Sequence, residues 1–194
     1  HGDGIAIEER WVFDLEIAGN SIHDNDGLAI DAMNDGPTPN DWLDNDRGWD
    51  ELQNYPALAN AVMLADSVRV SGALDSAPGG RYRIDVYGSL ACDPSGYGEA
   101  RWYLGSVAGL ATDPVQGHVD YMATFPIPAP ELKVLSATAV DSSGNTSELA
   151  ACLAISPSTG AGDLPAPLVF RLHEALPNPF NPSTTLRFDL PRAG

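Results

Sequence analysis

Four carboxylates crowd into ten residues of this sequence: Asp41, Asp44, Asp46 and Asp50, with Asn45 among them. Calcium takes six to eight oxygens from carboxylates and carbonyls, so the run is the expected cation site. It is not an EF-hand, because the glycine at position six and the glutamate at position twelve are missing. The competing reading is a solvated acidic turn held by Asx-type hydrogen bonds. The same stretch carries Trp42, Trp49 and Arg47, with Tyr55 just beyond. A flat aromatic face packs against the C–H face of a sugar ring, while carboxylates and a guanidinium bind its hydroxyls. Trp42, Trp49, Tyr55 and Arg47 are therefore the expected carbohydrate-binding residues. Asp41, Asp44, Asp46 and Asp50 are the expected metal ligands. The indoles have a structural use as well: one or both would plug the end of the neighbouring element, or one would plug and the other stay exposed.

The remaining reactive side chains say less. His1, His23, His118 and His173 show no metal-ligand spacing. A processed N-terminal histidine binds copper through its amine and imidazole together with a second histidine, which would require His1 to be a true processed terminus; surface or turn histidines are the expected reading. No G-x-S-x-G, H-E-x-x-H or glycine-rich phosphate loop is present. Glu8, Glu9 and Asp14, then Asp24, Asp26 and Asp31, could pair as acid and base in a polysaccharide-degrading site. With 27 acids in the chain such pairs are common by chance, and solvated coil edges are the expected reading. Cys92 and Cys152 form no C-x-x-C, which speaks against zinc or a thioredoxin-like motif. In an oxidising compartment they would form one disulfide; otherwise they are two buried thiols.

The chain has 194 residues and a net charge of −17, from 27 acids and 10 bases. Lys133 is its single lysine. Such a surface repels a phosphate backbone, so nucleic acid is not an expected partner. No apolar run approaches the roughly 20 residues of a spanning helix. Nineteen glycines and sixteen prolines without a repeat period suggest a loop-rich β protein.

The elements that must hold these residues read as strands throughout. Ile5-Ala6-Ile7, Leu15-Glu16-Ile17 and Leu28-Ala29-Ile30 alternate at period two, with Asn20, Asn25 and Asn34 at turns. Residues 31–56 read as a long acidic loop broken by Gly36, Pro37, Pro39 and Gly48. From about Val62 to Ile155 come short strands: Val68–Leu74, Tyr82–Gly88, Arg101–Val107, His118–Phe125, Lys133–Val140 and Leu149–Ile155. Glycine, proline and aspartate turns separate them. That count over that length fits an immunoglobulin-like sandwich. Residues 156–167 have the composition of a linker.

Two resemblances sharpen this. Leu176-Pro177-Asn178-Pro179-Phe180-Asn181-Pro182 followed by Thr184-Thr185-Leu186-Arg187-Phe188-Asp189-Leu190-Pro191 resembles the opening of C-terminal sorting domains of the type IX secretion kind. These are small sandwiches similar to the immunoglobulin-like domain of the flagellar hook-capping protein. The resemblance implies a secretion machinery as partner, and a domain that this chain carries only in its first part. Asp35-Gly36-Pro37-Thr38-Pro39-Asn40-Asp41, Leu52-Gln53-Asn54-Tyr55-Pro56, Cys92-Asp93-Pro94-Ser95-Gly96-Tyr97-Gly98-Glu99 and Ala137–Glu148 together resemble large secreted bacterial proteins. In those, a parallel β-helix precedes an immunoglobulin-like module. The resemblance implies that residues 18–31 are final coils of a right-handed β-helix whose earlier coils lie upstream.

The expected architecture is all-β. Terminal coils of a right-handed parallel β-helix and the acidic loop (1–60) pack on an immunoglobulin-like β-sandwich (61–155). A linker (156–167) and an extended C-terminal segment, the start of a sorting domain (168–194), follow. The expected function is a non-catalytic carbohydrate-binding or adhesion module of a secreted, cell-surface-associated bacterial protein, holding calcium and binding extracellular polysaccharide. The alternatives are a polysaccharide-degrading enzyme (lyase, hydrolase or metal-dependent oxidase) with its cleft on the β-helix, and a structural spacer.

Overall fold

The computed structural model describes residues 2–8, 12–46 and 52–157, and the backbone of 171–172 and 188–189. All regular structure among them is β, and no α-helix occurs among the described residues. None of those residues forms a helix long and apolar enough to cross a membrane. The chain divides into two compact units, 1–157 and 158–194. In the second, strand β11 (Arg171–Leu172) pairs antiparallel with β12 (Phe188–Asp189).

The first unit opens with a two-stranded parallel sheet. Strand β1 (Ile5–Ile7) lies beside β2 (Ile30–Ala32), with Ile5 opposite Ile30 and Ile7 opposite Ala32. Each strand position therefore returns after twenty-five residues. Ile17, Ile30 and Ala32 form the buried centre beneath, with Ile5, Ile7, Val12 and Ile22 against them.

Two four-stranded sheets follow. One has the order β10-β3-β4-β7 and the other β6-β5-β8-β9. Their strands are β3 (Ala57–Met63), β4 (Ser67–Asp75), β5 (Arg81–Ser89), β6 (Trp102–Ala111), β7 (His118–Pro126), β8 (Val134–Asp141), β9 (Leu153–Ala154) and β10 (Ser156–Pro157). Apart from the parallel β10–β3 pair, all are antiparallel. Neither sheet closes into a barrel, and the two form a sandwich around one core. Alternation builds that core: Val68, Val70 and Leu74 turn inward from β4, with Ser71 and Ala73 between them half-buried on the outer face. Ile84, Val86, Leu135, Ala137 and Ala139 meet them from the other sheet.

Three differences from the sequence reading are physical. Strand β3 falls where a loop and a domain boundary were expected, since Ala57-Leu58-Ala59-Asn60-Ala61 carries weak strand formers and a bulge between Leu58 and Asn60. The expected last strand, Leu149–Ile155, is only two residues of β9. The chain then switches sheets, so Ser156 and Pro157, the first residues of the expected linker, pair with Val62 and Met63. Cys92, just after β5, and Cys152, just before β9, form the disulfide, with Cα atoms 5.8 Å apart.

Candidate functional site

The acidic loop packs on one end of the sandwich. Leu43 and Asp44 both hold left-handed backbone angles (φ 61° and 57°), which curl the loop so that its carboxylates converge. One carboxylate oxygen from each of Asp41, Asp44 and Asp46 lies within 4.8 Å of the others. Asp41 accepts the Asn45 N–H on both oxygens at 3.0 Å. Asp44 accepts the Asn54 N–H at 2.8 Å and the Ser76 hydroxyl at 2.7 Å. Asp46 Oδ1 is shut off from solvent and has no hydrogen-bond partner among the described residues. Burial, then the charges of Asp41 and Asp44, push the Asp46 carboxyl up to about 6. Three convergent carboxylates, one of them with an unsatisfied oxygen, suit a hard divalent cation.

A buried polar layer fixes the loop. Asn54 donates to the carbonyls of Asp41 and Asp75, each at 2.9 Å, and accepts the Asp41 N–H at 3.0 Å. Gln53 and Tyr82 donate to the Ser76 hydroxyl, which passes its own proton toward Asp44. Gly117 closes the underside: at φ 68° it lies so close to the Ser76 carbonyl and Leu43 Cδ2 that a side chain would collide.

On this pinned loop Trp42 stands 77% exposed. It plugs nothing within the described residues. Tyr55 is half-buried, its ring edge-on to Tyr97 at 5.7 Å and its hydroxyl 3.0 Å from that of Tyr97. Burial raises the Tyr55 hydroxyl's pKa. Asn40 holds the Tyr55 backbone through its amide, accepting from the N–H at 2.9 Å and donating to the carbonyl at 2.7 Å. Trp42, Asp41, Asp44, Asp46 and Tyr55 thus share one loop region. Arg47, Trp49 and Asp50 lie outside the described residues, as do Glu9, His1 and His173.

Three of the carboxylates read as possible acid–base pairs, Glu8, Asp24 and Asp31, have structural partners. Glu8 accepts from Asn34, and Asp31 caps the N–H groups of Asp35 and Gly36. Asp24 bonds His23 and the Arg101 guanidinium, which hold its carboxyl below the usual range. His118 sits between Asp75 (2.6 Å) and Asp120 (3.4 Å), and the Asp75 bond raises its pKa.

Sequence reasoning missed the run Asn145-Thr146-Ser147-Glu148, in which every residue is buried. Asn145 and Thr146 accept the N–H groups of Asp14 and Ile17, each at 3.0 Å. Glu148 accepts those of Ala32 and Thr38, both at 2.8 Å. Three of these polar side chains, Asn145, Thr146 and Glu148, thereby bind the N-terminal segment and the start of the acidic loop to the sandwich. Burial pushes the Glu148 carboxyl up to about 7, against the pull of the Thr38 and Ala32 N–H groups, with the charge of Asp31 adding to the rise. Their advance signals were a polar stretch after a strand, where a hydrophobic one would be ordinary, and its place in the string Ala137–Glu148, neither of which gave these side chains a role.

Compared with known proteins, the chain matches no family model and no curated protein sequence.

Proposed function

We propose that this chain is a non-catalytic module of a secreted, cell-surface-associated bacterial protein that binds extracellular carbohydrate, with calcium bracing the acidic loop. One observation carries the reading: an indole 77% exposed on a loop anchored by buried Asn54, Gln53 and Ser76. An exposed tryptophan on a rigid support offers a stacking face at little ordering cost. Asp41, Asp44 and Asp46 are the ligands assigned to calcium, with Asp50 the fourth by sequence. Tyr55, Arg47 and Trp49 are the further carbohydrate contacts proposed.

The architecture we infer is a terminal β-helix coil on an immunoglobulin-like sandwich. The twenty-five-residue return from β1 to β2 supports the first part, since parallel strands one coil apart are what a solenoid produces. The two antiparallel sheets and the disulfide support the second and fit an oxidising, extracellular setting. Residues 176–191 carry the proposed contact with a secretion machinery.

A pull-down on insoluble polysaccharides tests the reading. The chain is expected to sediment with one of them, and Trp42→Ala to stay in the supernatant with an unchanged melting curve. Retention of Trp42→Ala at the wild-type level removes the platform. Release of soluble sugars would make the protein an enzyme, and neither binding nor release would make it a spacer.

A further inference from the structure

The two sheets end in four edge strands, β10 and β7 in one, β6 and β9 in the other. Strands β9 and β10 are two residues long. Strand β6 breaks register twice against β5, and its Gly105 and Gly109 take positive φ. Shortness and bulging keep a sheet edge from pairing with another chain. Strand β7 is neither short nor bulged, and the protections it carries are the charge of Asp120 and the proline at 126. It pairs with β4 through nine consecutive positions, Ser67–Pro126 to Asp75–His118, without a bulge. Its other side has no strand partner among the described residues.

The direction of its backbone groups follows from its ends. The Gly117 carbonyl accepts from Ser76, and the Ile127 N–H donates to Asp66, so odd positions turn toward β4. By antiparallel alternation the even positions turn outward. His118 agrees, its carbonyl taken by Asp113 rather than by β4. Asp120, Met122 and Thr124 therefore offer their N–H and C=O groups to the bare side. Pro126 also falls at an outward position, where its missing N–H costs no bond to β4.

We propose that β7 is a homodimerisation edge, pairing antiparallel with β7 of a second copy across a two-fold axis at Met122. In that register Met122 faces Met122 of the second copy, and Asp120 faces Thr124, each pair exchanging two main-chain hydrogen bonds. No like charges stand opposite one another. Arg69 is the β4 neighbour of Thr124, so it lies about two strand spacings, or ~10 Å, from Asp120 of the second copy, within an arginine's reach. Met122 is 68% exposed and borders a depression of about 510 Å³ floored by Ala57, Ala59, Gly72 and Ala73. Pairing buries that rim. The opposing force is the charge of −17 on each copy. Salt screens it, so this dimer tightens as salt rises. The inference is independent of the carbohydrate reading.

Sedimentation velocity on the whole chain tests it, at concentrations up to about 200 µM, where a weak dimer becomes visible. A monomer–dimer equilibrium is expected, with a dissociation constant falling roughly tenfold between low and moderate salt. Met122→Lys places like charges on the axis at an exposed position, and should abolish the dimer with unchanged circular dichroism. Met122→Cys should oxidise to a covalent dimer, because the Cα spacing of about 5.5 Å in such a pair suits a disulfide. Val115→Cys, at a position 77% exposed, is the control and should not. A monomer at every concentration, with Met122→Cys cross-linking no faster than the control, overturns the proposal and leaves the edge to a strand of another protein. A dimer that survives Met122→Lys lies elsewhere and overturns it equally.

Discussion

Among the acidic residues, Asp46 carries the clearest electrostatic consequence. Its carboxyl is raised from the usual 3.8 to about 6 because burial and two neighbouring carboxylates disfavour its charge. A raised folded-state value means that its contribution to stability is complete below the ordinary value and is lost as pH rises through about 6. In chelator, the melting temperature should therefore fall from pH 4 to pH 7. Added calcium should reverse the fall at pH 7, because the cation supplies the missing positive charge. Asp46→Asn should flatten the pH dependence and remove most of the calcium response, both read by differential scanning fluorimetry. Trp42→Ala is the contrasting case. Its side chain is 77% exposed, so the expected cost in stability is within about 0.5 kcal/mol, while carbohydrate retention is lost.

At the scale of elements, Glu148 ties β2 and the start of the acidic loop to the segment between β8 and β9. Its value rises from 4.5 to about 7, so the stability it contributes is present at pH 4.5 and disappears as pH climbs past 7. Glu148→Gln should shrink the difference in urea midpoint between pH 5 and pH 8. It should also lower stability by about 1 kcal/mol at pH 5, because an amide nitrogen cannot accept the second N–H. Strand β4 was legible in advance because Val-Arg-Val-Ser-Gly-Ala-Leu alternates cleanly and its partners lie on both sides. Strand β3 was not, because alanine is a weak strand former and the bulge near Ala59 breaks the period of two. The convergence of Asp41, Asp44 and Asp46 was legible from density alone. The supports of that convergence were not: Asn54, Gln53 and Ser76 act through contacts that only the folded chain creates, as does Glu148 more than a hundred residues from the backbone it holds.

For the whole molecule, the disulfide closes a sequence separation of 60 residues. Restricting an unfolded loop of that size contributes about 4 kcal/mol in the chain-entropy model. Replacing Cys92 and Cys152 with serine should lower the unfolding free energy by about that amount, measured by urea denaturation, with the strands still formed. The same bond has a mechanical corollary. The chain leaves the sandwich through β10, five residues past Cys152, alongside β3. Tension applied beyond Pro157 first shears that short parallel pair and then meets the sulfur bridge, which hands the force to Cys92. Everything between the two cysteines is thereby bypassed: a reserve of roughly 200 Å of contour stays coiled under a stretch that would otherwise unravel it. Reducing the bridge should release that extra extension in a single-molecule pulling trace.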